Sequence, residues 1–235
     1  MIREIFEKNQ IALTDKQVEQ FQKYYELLVD WNQKINLTSI TEYQDVIWKH
    51  FLDSGLFVNC KDLVSQEQKK VLDLGTGAGF PGIPLAILIP NYEFTLVDSL
   101  RKRIDFLEIV CKELNLENVK LFHGRAEDVG KDSKFREQFD FAVSRAVADL
   151  PVLLEYCLPF VKVGGRFVSY KSRKYEEEMD RAQSAMETLH CSCQNVYEFS
   201  LEFDQSKRYL LSIEKKEETD SKYPRKPNKI KKNPL

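Results

Sequence analysis

Apolar residues recur along the chain in two rhythms, and the rhythm changes near residue 66. From Thr14 onward the spacing is helical: Val18, Phe21, Tyr25, Leu28 and Ile35 share one face. Thr14-Asp-Lys-Gln17 has the form of a capping box, so a helix is predicted over 15–34. Asn36-Leu-Thr-Ser39 interrupts it. A second box, Thr41-Glu-Tyr-Gln44, is predicted to open another helix with Val46, Ile47, His50, Phe51 and Ser54 along one side. Residues 1–65 therefore read as an all-helical segment, too short for a strong core of its own and expected to pack on the rest of the chain.

Beyond Lys69 short apolar runs alternate with helical stretches. Strands are predicted at 70–74, 93–98, 118–122, 139–144 and 165–171, with helices at 82–89, 99–115 and 149–160. The 99–115 stretch carries its stripe at Ile104, Leu107, Cys111 and Leu114. Alternating βα units imply a parallel, doubly wound sheet. A charged helix is predicted over 175–189, then two strands, 195–203 and 207–214. The loop from Asp204 to Lys207 is tight, so these two pair antiparallel. Residues 66–216 form one α/β domain on this reading, and 217–235 a charged, extended tail.

Composition narrows the class only a little. The 235 residues are 43% hydrophobic and 31% charged, with a net charge of -2. A nucleic-acid partner would need its cations concentrated locally, as in the tail, where Lys222, Arg225, Lys226, Lys229, Lys231 and Lys232 surround Tyr223. No apolar run reaches the roughly 18 residues of a membrane span. The first residues are charged and make no signal peptide. A cytoplasmic monomer is expected. Cys60, Cys111, Cys157, Cys191 and Cys193 lack metal-ligand spacing, so reduced thiols and no metal site are expected.

The candidate chemistry starts at Val71–Gly82. A buried strand runs into glycines at 75, 77 and 79, and a short helix comes next. Glycine lets the backbone turn sharply there and lets a ligand approach without meeting a Cβ. A G-x-G-x-x-G dinucleotide fingerprint can be drawn at Gly77–Gly82, which would fit an NAD-dependent oxidoreductase. It starts two residues late, and Pro81 interrupts it. The register Asp73-x-Gly75-x-Gly77-x-Gly79 instead resembles the first motif of class I S-adenosylmethionine-dependent methyltransferases, whose sheet also ends in an antiparallel hairpin. Asp98, ending the second strand, suits either ribose hydroxyls or the cap of the next helix. Glu127, after the third strand, suits an adenine amine or solvent. Arg145, ending the fourth, suits the cofactor's methionine end, a phosphate or an ion pair.

The fourth-strand end also excludes chemistries. Ser144-Arg-Ala-Val lacks the Asn/Asp-Pro-Pro-Tyr/Phe run of enzymes that methylate exocyclic amines, and no Pro-Cys supplies a nucleophile for pyrimidine C5. Guanine N7 fits what remains. It has a free in-plane lone pair and no proton, so alignment suffices and no catalytic dyad is expected. Asn36, His50, Asp53 and Lys171 are the candidates for the acceptor side. His50 can equally be a hydrogen-bonded core histidine, and Lys171 a phosphate contact or a solvated charge.

Several longer stretches then converge: Asn36-Leu-Thr38, His50-Phe-Leu-Asp53-Ser54, Gly75-Thr-Gly-Ala-Gly-Phe-Pro-Gly-Ile-Pro84, Val97-Asp-Ser99 with Lys102-Arg103, Gly124-Arg-Ala-Glu127, Ser144-Arg-Ala-Val-Ala148 and Tyr223-Pro-Arg225. By these the chain resembles the bacterial small-subunit rRNA guanine-N7 methyltransferases, also called glucose-inhibited division protein B. It departs from that pattern at Lys49, Ser172, Asn228 and Ile230. The resemblance implies a seven-stranded class I fold and methylation of one 16S rRNA guanine (position 527 in the usual rRNA numbering), on rRNA or the small ribosomal subunit. It also implies S-adenosylmethionine contacts from Gly75, Phe80, Ala126, Glu127 and Arg145, to which the loop and second strand add Gly77 and Asp98. A ribosome-assembly factor with a vestigial pocket is the non-enzymatic alternative.

Overall fold

The computed structural model describes residues 1–172 and 174–235. Helices α1 (Ile2–Lys8), α2 (Asp15–Asn32), α3 (Tyr43–Val46) and α4 (Asp53–Gly55) come first, with a π-helical turn, Ile47–Leu52, between the last two. The Thr14 box forms: its hydroxyl accepts from Gln17 N while the Gln17 side chain accepts from Thr14 N. The second box does not form. Helix α3 begins after Glu42 without a side-chain cap, because tertiary contacts claim the segment. The Thr41 carbonyl accepts from Tyr25 Oη, and Tyr43 packs edge-on against Tyr25.

The alternating region continues as β1 (Lys70–Leu74), α5 (Gly82–Leu88), β2 (Glu93–Asp98), α6 (Arg101–Glu113), β3 (Val119–His123), α7 (Ala126–Val129), β4 (Phe139–Arg145), α8 (Leu150–Cys157) and β5 (Val161–Lys171). The stretch read as one helix over 175–189 is two, α9 (Tyr175–Arg181) and α10 (Gln183–Thr188), divided at the fully buried Ala182. Strands β6 (Cys191–Leu201) and β7 (Ser206–Lys215) close a seven-stranded sheet of order β3-β2-β1-β4-β5-β7-β6. Strand β7 runs antiparallel to both neighbours and the other pairs are parallel. The order reverses beside β1, which places a crevice at the carboxyl ends of β1, β2 and β4.

Side chains alternate between the two faces of the sheet. Val71, Phe141 and Val143 pack with α5, α6 and the amino-terminal helices, while Leu72, Leu74 and Ala142 pack with α8 and α10. Phe6, Phe21, Tyr24 and Phe51 are fully buried in the first of these cores. Each aromatic removed from water contributes about 2–3 kcal/mol. The helical segment thus shares the core of the sheet. No helix among the described residues is long and apolar enough to cross a membrane.

The segment after residue 216 is docked on the domain, not extended as its charge implied. Tyr223 is buried in the second core, and Ile230 of α11 (Pro227–Lys232) is fully buried. Arg225 grips the fully buried Glu155 of α8 with two donors, at 2.9 and 2.7 Å. Arg136 donates to the carbonyls of Thr219, Asp220 and Tyr223. A count of lysines conceals these anchors, because a buried carboxylate on α8 needs a cation from elsewhere. Arg225→Ala is expected to destabilise the protein by about 3 kcal/mol, read from urea denaturation, with Lys recovering only part.

Candidate functional site

The loop after β1 is built by its glycines and clamped from below. Gly75, Gly77 and Gly79 have φ of +74°, +63° and +102°. Buried Asp73 accepts from Thr76 Oγ1 at 2.7 Å and from Gly82 N at 2.8 Å, tying the strand to the start of α5. Burial pushes its carboxyl up to about 7. Asp98 Oδ2 accepts from Gly77 N at 2.9 Å and its Oδ1 from Leu100 N at 2.9 Å, while Arg103 Nη1 lies 3.2 Å away. The carboxylate therefore fastens the glycine loop to β2 and braces the turn into α6. From the other side, Tyr24 Oη of α2 donates to the Ala78 carbonyl.

This loop is one wall of a cavity of about 1270 Å³ at the crevice. Gly75, Gly77, Phe80, Asp98, Ala126, Glu127 and Arg145, drawn from four separate stretches of the sequence, all line it. The Glu127 side chain is only 13% exposed, so it is no solvated loop charge. Of the acceptor-side candidates, His50 lines the same cavity. Its ring stacks on Phe80 with centroids 4.5 Å apart, and the Arg145 guanidinium lies 5.1 Å from the Phe80 ring centre.

Arg145 joins the helical segment to the sheet. It donates to Asp53 Oδ2 at 2.6 Å and to the Lys49 carbonyl at 2.9 Å, and its Nη2 lies 3.2 Å from His50 Nδ1. The π-helical turn, a feature frequent at functional sites, holds His50 and Asp53 on the same guanidinium. A guanidinium only donates, so His50 Nδ1 accepts, and the neutral ring carries its hydrogen on Nε2. Burial, reinforced by Arg145, lowers the His50 pKa to about 3. The ring stays neutral near pH 7, and it is a hydrogen-bonded brace on the cavity wall.

A family model described as rRNA small subunit methyltransferase G matches residues 17–208. The protein of that name from Thermoanaerobacter sp. (strain X514) is 50% identical over 218 residues, covering 93% of this chain and 90% of its own. Its namesake from Lactococcus lactis subsp. cremoris is 47% identical over 226 residues, covering 96% and 94%. The chain belongs to this family. It is a methyltransferase of small-subunit rRNA. Among solved structures, a SAM dependent methyltransferase from Aquifex aeolicus superposes with a TM-score of 0.54 at 15% identity, covering 79% of this chain and 97% of that one. M. jannaschii TYW2 in complex with AdoMet gives 0.53 at 16%, covering 69% and 76%. At that identity the likeness shows the fold, a Rossmann-like methyltransferase sheet.

Within this rRNA small subunit methyltransferase G fold, the other acceptor-side candidates lie differently from their sequence reading. Asn36 is exposed and does not line the cavity. Asn32 Oδ1 instead accepts from Leu37 N and Thr38 N, and those two residues line it. Asp53 and Lys171 line an adjoining cavity of about 660 Å³ that shares the 145–149 stretch. Lys171 is neither solvated nor free for phosphate. It donates to Glu178 Oε2 at 2.6 Å and to the Ala148 carbonyl at 3.1 Å, bracing a stretch in which Ala146 has φ +57°. Thr38 is a cavity-lining residue to which the sequence reading gives no role, and nothing local marks it. Asp73, which opens the glycine register, proves to be the buried clamp beneath the loop. Among the described residues no group of three or more His, Cys, Asp or Glu could hold a metal, and all five cysteines are free.

Proposed function

We propose that the protein methylates N7 of a guanine in 16S rRNA with S-adenosyl-L-methionine as donor. Family membership together with the convergence of seven residues from four stretches on one cavity supports this reading. The lining fits the donor. A Cβ added at Gly77 would meet nothing closer than the Gly75 carbonyl at 4.0 Å, so that face of the loop is open to a ligand. Three of the roughly four acceptor positions of the Asp98 carboxylate serve Gly77, Leu100 and Arg103, leaving one for a ribose hydroxyl. Ala126 and Glu127 open α7 just beyond β3, suited to the adenine amine. Arg145 is spent on Asp53, Lys49 and His50, so it shapes the wall between donor and acceptor instead of pairing with a phosphate.

S-adenosylmethionine, when bound, supplies a methyl group on a positively charged sulfur. Guanine N7 carries no proton, and the site needs no base. His50 agrees with that demand, since both ring nitrogens are committed and its affinity for a proton is suppressed. No catalytic residue in the acid–base sense is assigned. The rate enhancement comes from holding two groups in line with water excluded. The test maps N7-methylguanine in 16S rRNA from cells with and without the gene, and repeats the reaction with purified protein on naked rRNA and on small subunits. One methylated guanine that depends on the gene is expected; identical patterns in both strains would refute the activity.

A further inference from the structure

Thr38 Oγ1 lies 2.8 Å from His50 Nε2 and accepts from Ile40 N at 3.0 Å. The other side of the ring decides which partner donates in the first contact. Arg145 fixes Nδ1 as an acceptor, so Nε2 carries the hydrogen and donates to Thr38. The threonine oxygen then accepts twice, which uses both of its lone pairs. Its own proton remains to be donated, and among the described residues no acceptor takes it. Asn32 holds the Thr38 amide at 2.9 Å, and the two accepted bonds fix the rotor. A pre-oriented donor is left over on the cavity wall, beside His50 and Arg145.

We infer that the Thr38 hydroxyl donates to the exocyclic oxygen of the target purine and so selects guanine over adenine. The inference rests on the proposal that N7 is the methyl acceptor. On the edge that carries N7, guanine presents a second acceptor, O6, whereas adenine presents an amino donor. A fixed donor beside the line of approach to N7 welcomes the first and repels the second. One such contact, left unpaired with the wrong base, is worth about 10–100-fold in rate. Threonine suits this role because its hydroxyl cannot turn away while His50 and Ile40 hold it.

The experiment uses small subunits reconstituted from 16S rRNA carrying either guanine or 2,6-diaminopurine at the target; the latter keeps N7 and replaces O6 by an amine. Single-turnover methylation is measured for the wild type, Thr38→Val and Thr38→Ser, with S-adenosylmethionine affinity measured alongside by calorimetry. The wild type should prefer guanine. Thr38→Val should lose about 10–100-fold more on guanine than on diaminopurine, and Thr38→Ser should restore the preference. An equal loss on both bases would reduce Thr38 to a brace for the loop and overturn the inference, as would no loss on either. Failure of the wild type on guanine would overturn the methyltransferase reading, and this inference with it, before any variant is compared.

Discussion

Arg145→Ala is expected to lower rRNA methylation about 10²–10³-fold and to destabilise the fold by about 3–5 kcal/mol. Asp53 is 6% exposed and faces two guanidinium groups, Arg145 at 2.6 Å and Arg208 at 3.1 Å. Only the Arg145 contact has hydrogen-bond geometry; Asp53 Oδ1, on the Arg208 side, has no hydrogen-bond partner. Removing Arg145 would strand a buried carboxylate and release the Lys49 carbonyl and His50 Nδ1 together. His50 would lose the contact that sets its tautomer, and the Phe80 ring would lose its cover. Arg145→Lys should recover little, since one ammonium cannot serve three partners spread across a fork. Urea denaturation and single-turnover rates measure the two effects. A variant with wild-type stability would show that Arg208 alone neutralises Asp53.

The second large effect is expected at Gly79. A Cβ there would lie 2.6 Å from Tyr24 Oη, 2.7 Å from Ile83 Cγ1 and 2.8 Å from Leu107 Cδ2, at φ +102°. The backbone conformation costs an L-residue about 1–3 kcal/mol, and displacing three packed neighbours adds about as much. Gly79→Ala should therefore lose roughly 3–5 kcal/mol. It should also weaken S-adenosylmethionine binding, because Tyr24 braces the loop at Ala78. Gly77→Ala makes the internal comparison. With open space around its Cβ and φ +63°, it should cost about 1 kcal/mol in stability while still hindering the ligand. Equal stability losses at the two positions would contradict this account of the loop.

Much of the architecture is legible in the sequence alone. Strands 70–74 and 93–98 and the Thr14 box stand where periodicity and turn chemistry place them, and the terminal hairpin forms with its first strand starting at Cys191 instead of 195 and its turn ending before Ser206. The failures share a cause. Thr41 is a good local cap that Tyr25 and Tyr43 override, and Lys171 looks like a free cation until Glu178 arrives from α9. The tail reads as solvated because its anchors, Tyr223, Arg225 and Ile230, are few among many lysines.

The chain's own order of residues determined the βα alternation, the glycine turn and the kind of ligand that turn admits, because these depend on neighbours within a few positions. Folding alone decided the cavity wall around His50. Asp53 and Arg145 meet across 92 residues, and His50 receives its tautomer from an arginine on another element. Thr38 is set by three separate contacts around it. Hydrogen-bond direction and burial belong to the packed state, and no pattern along the sequence carries them.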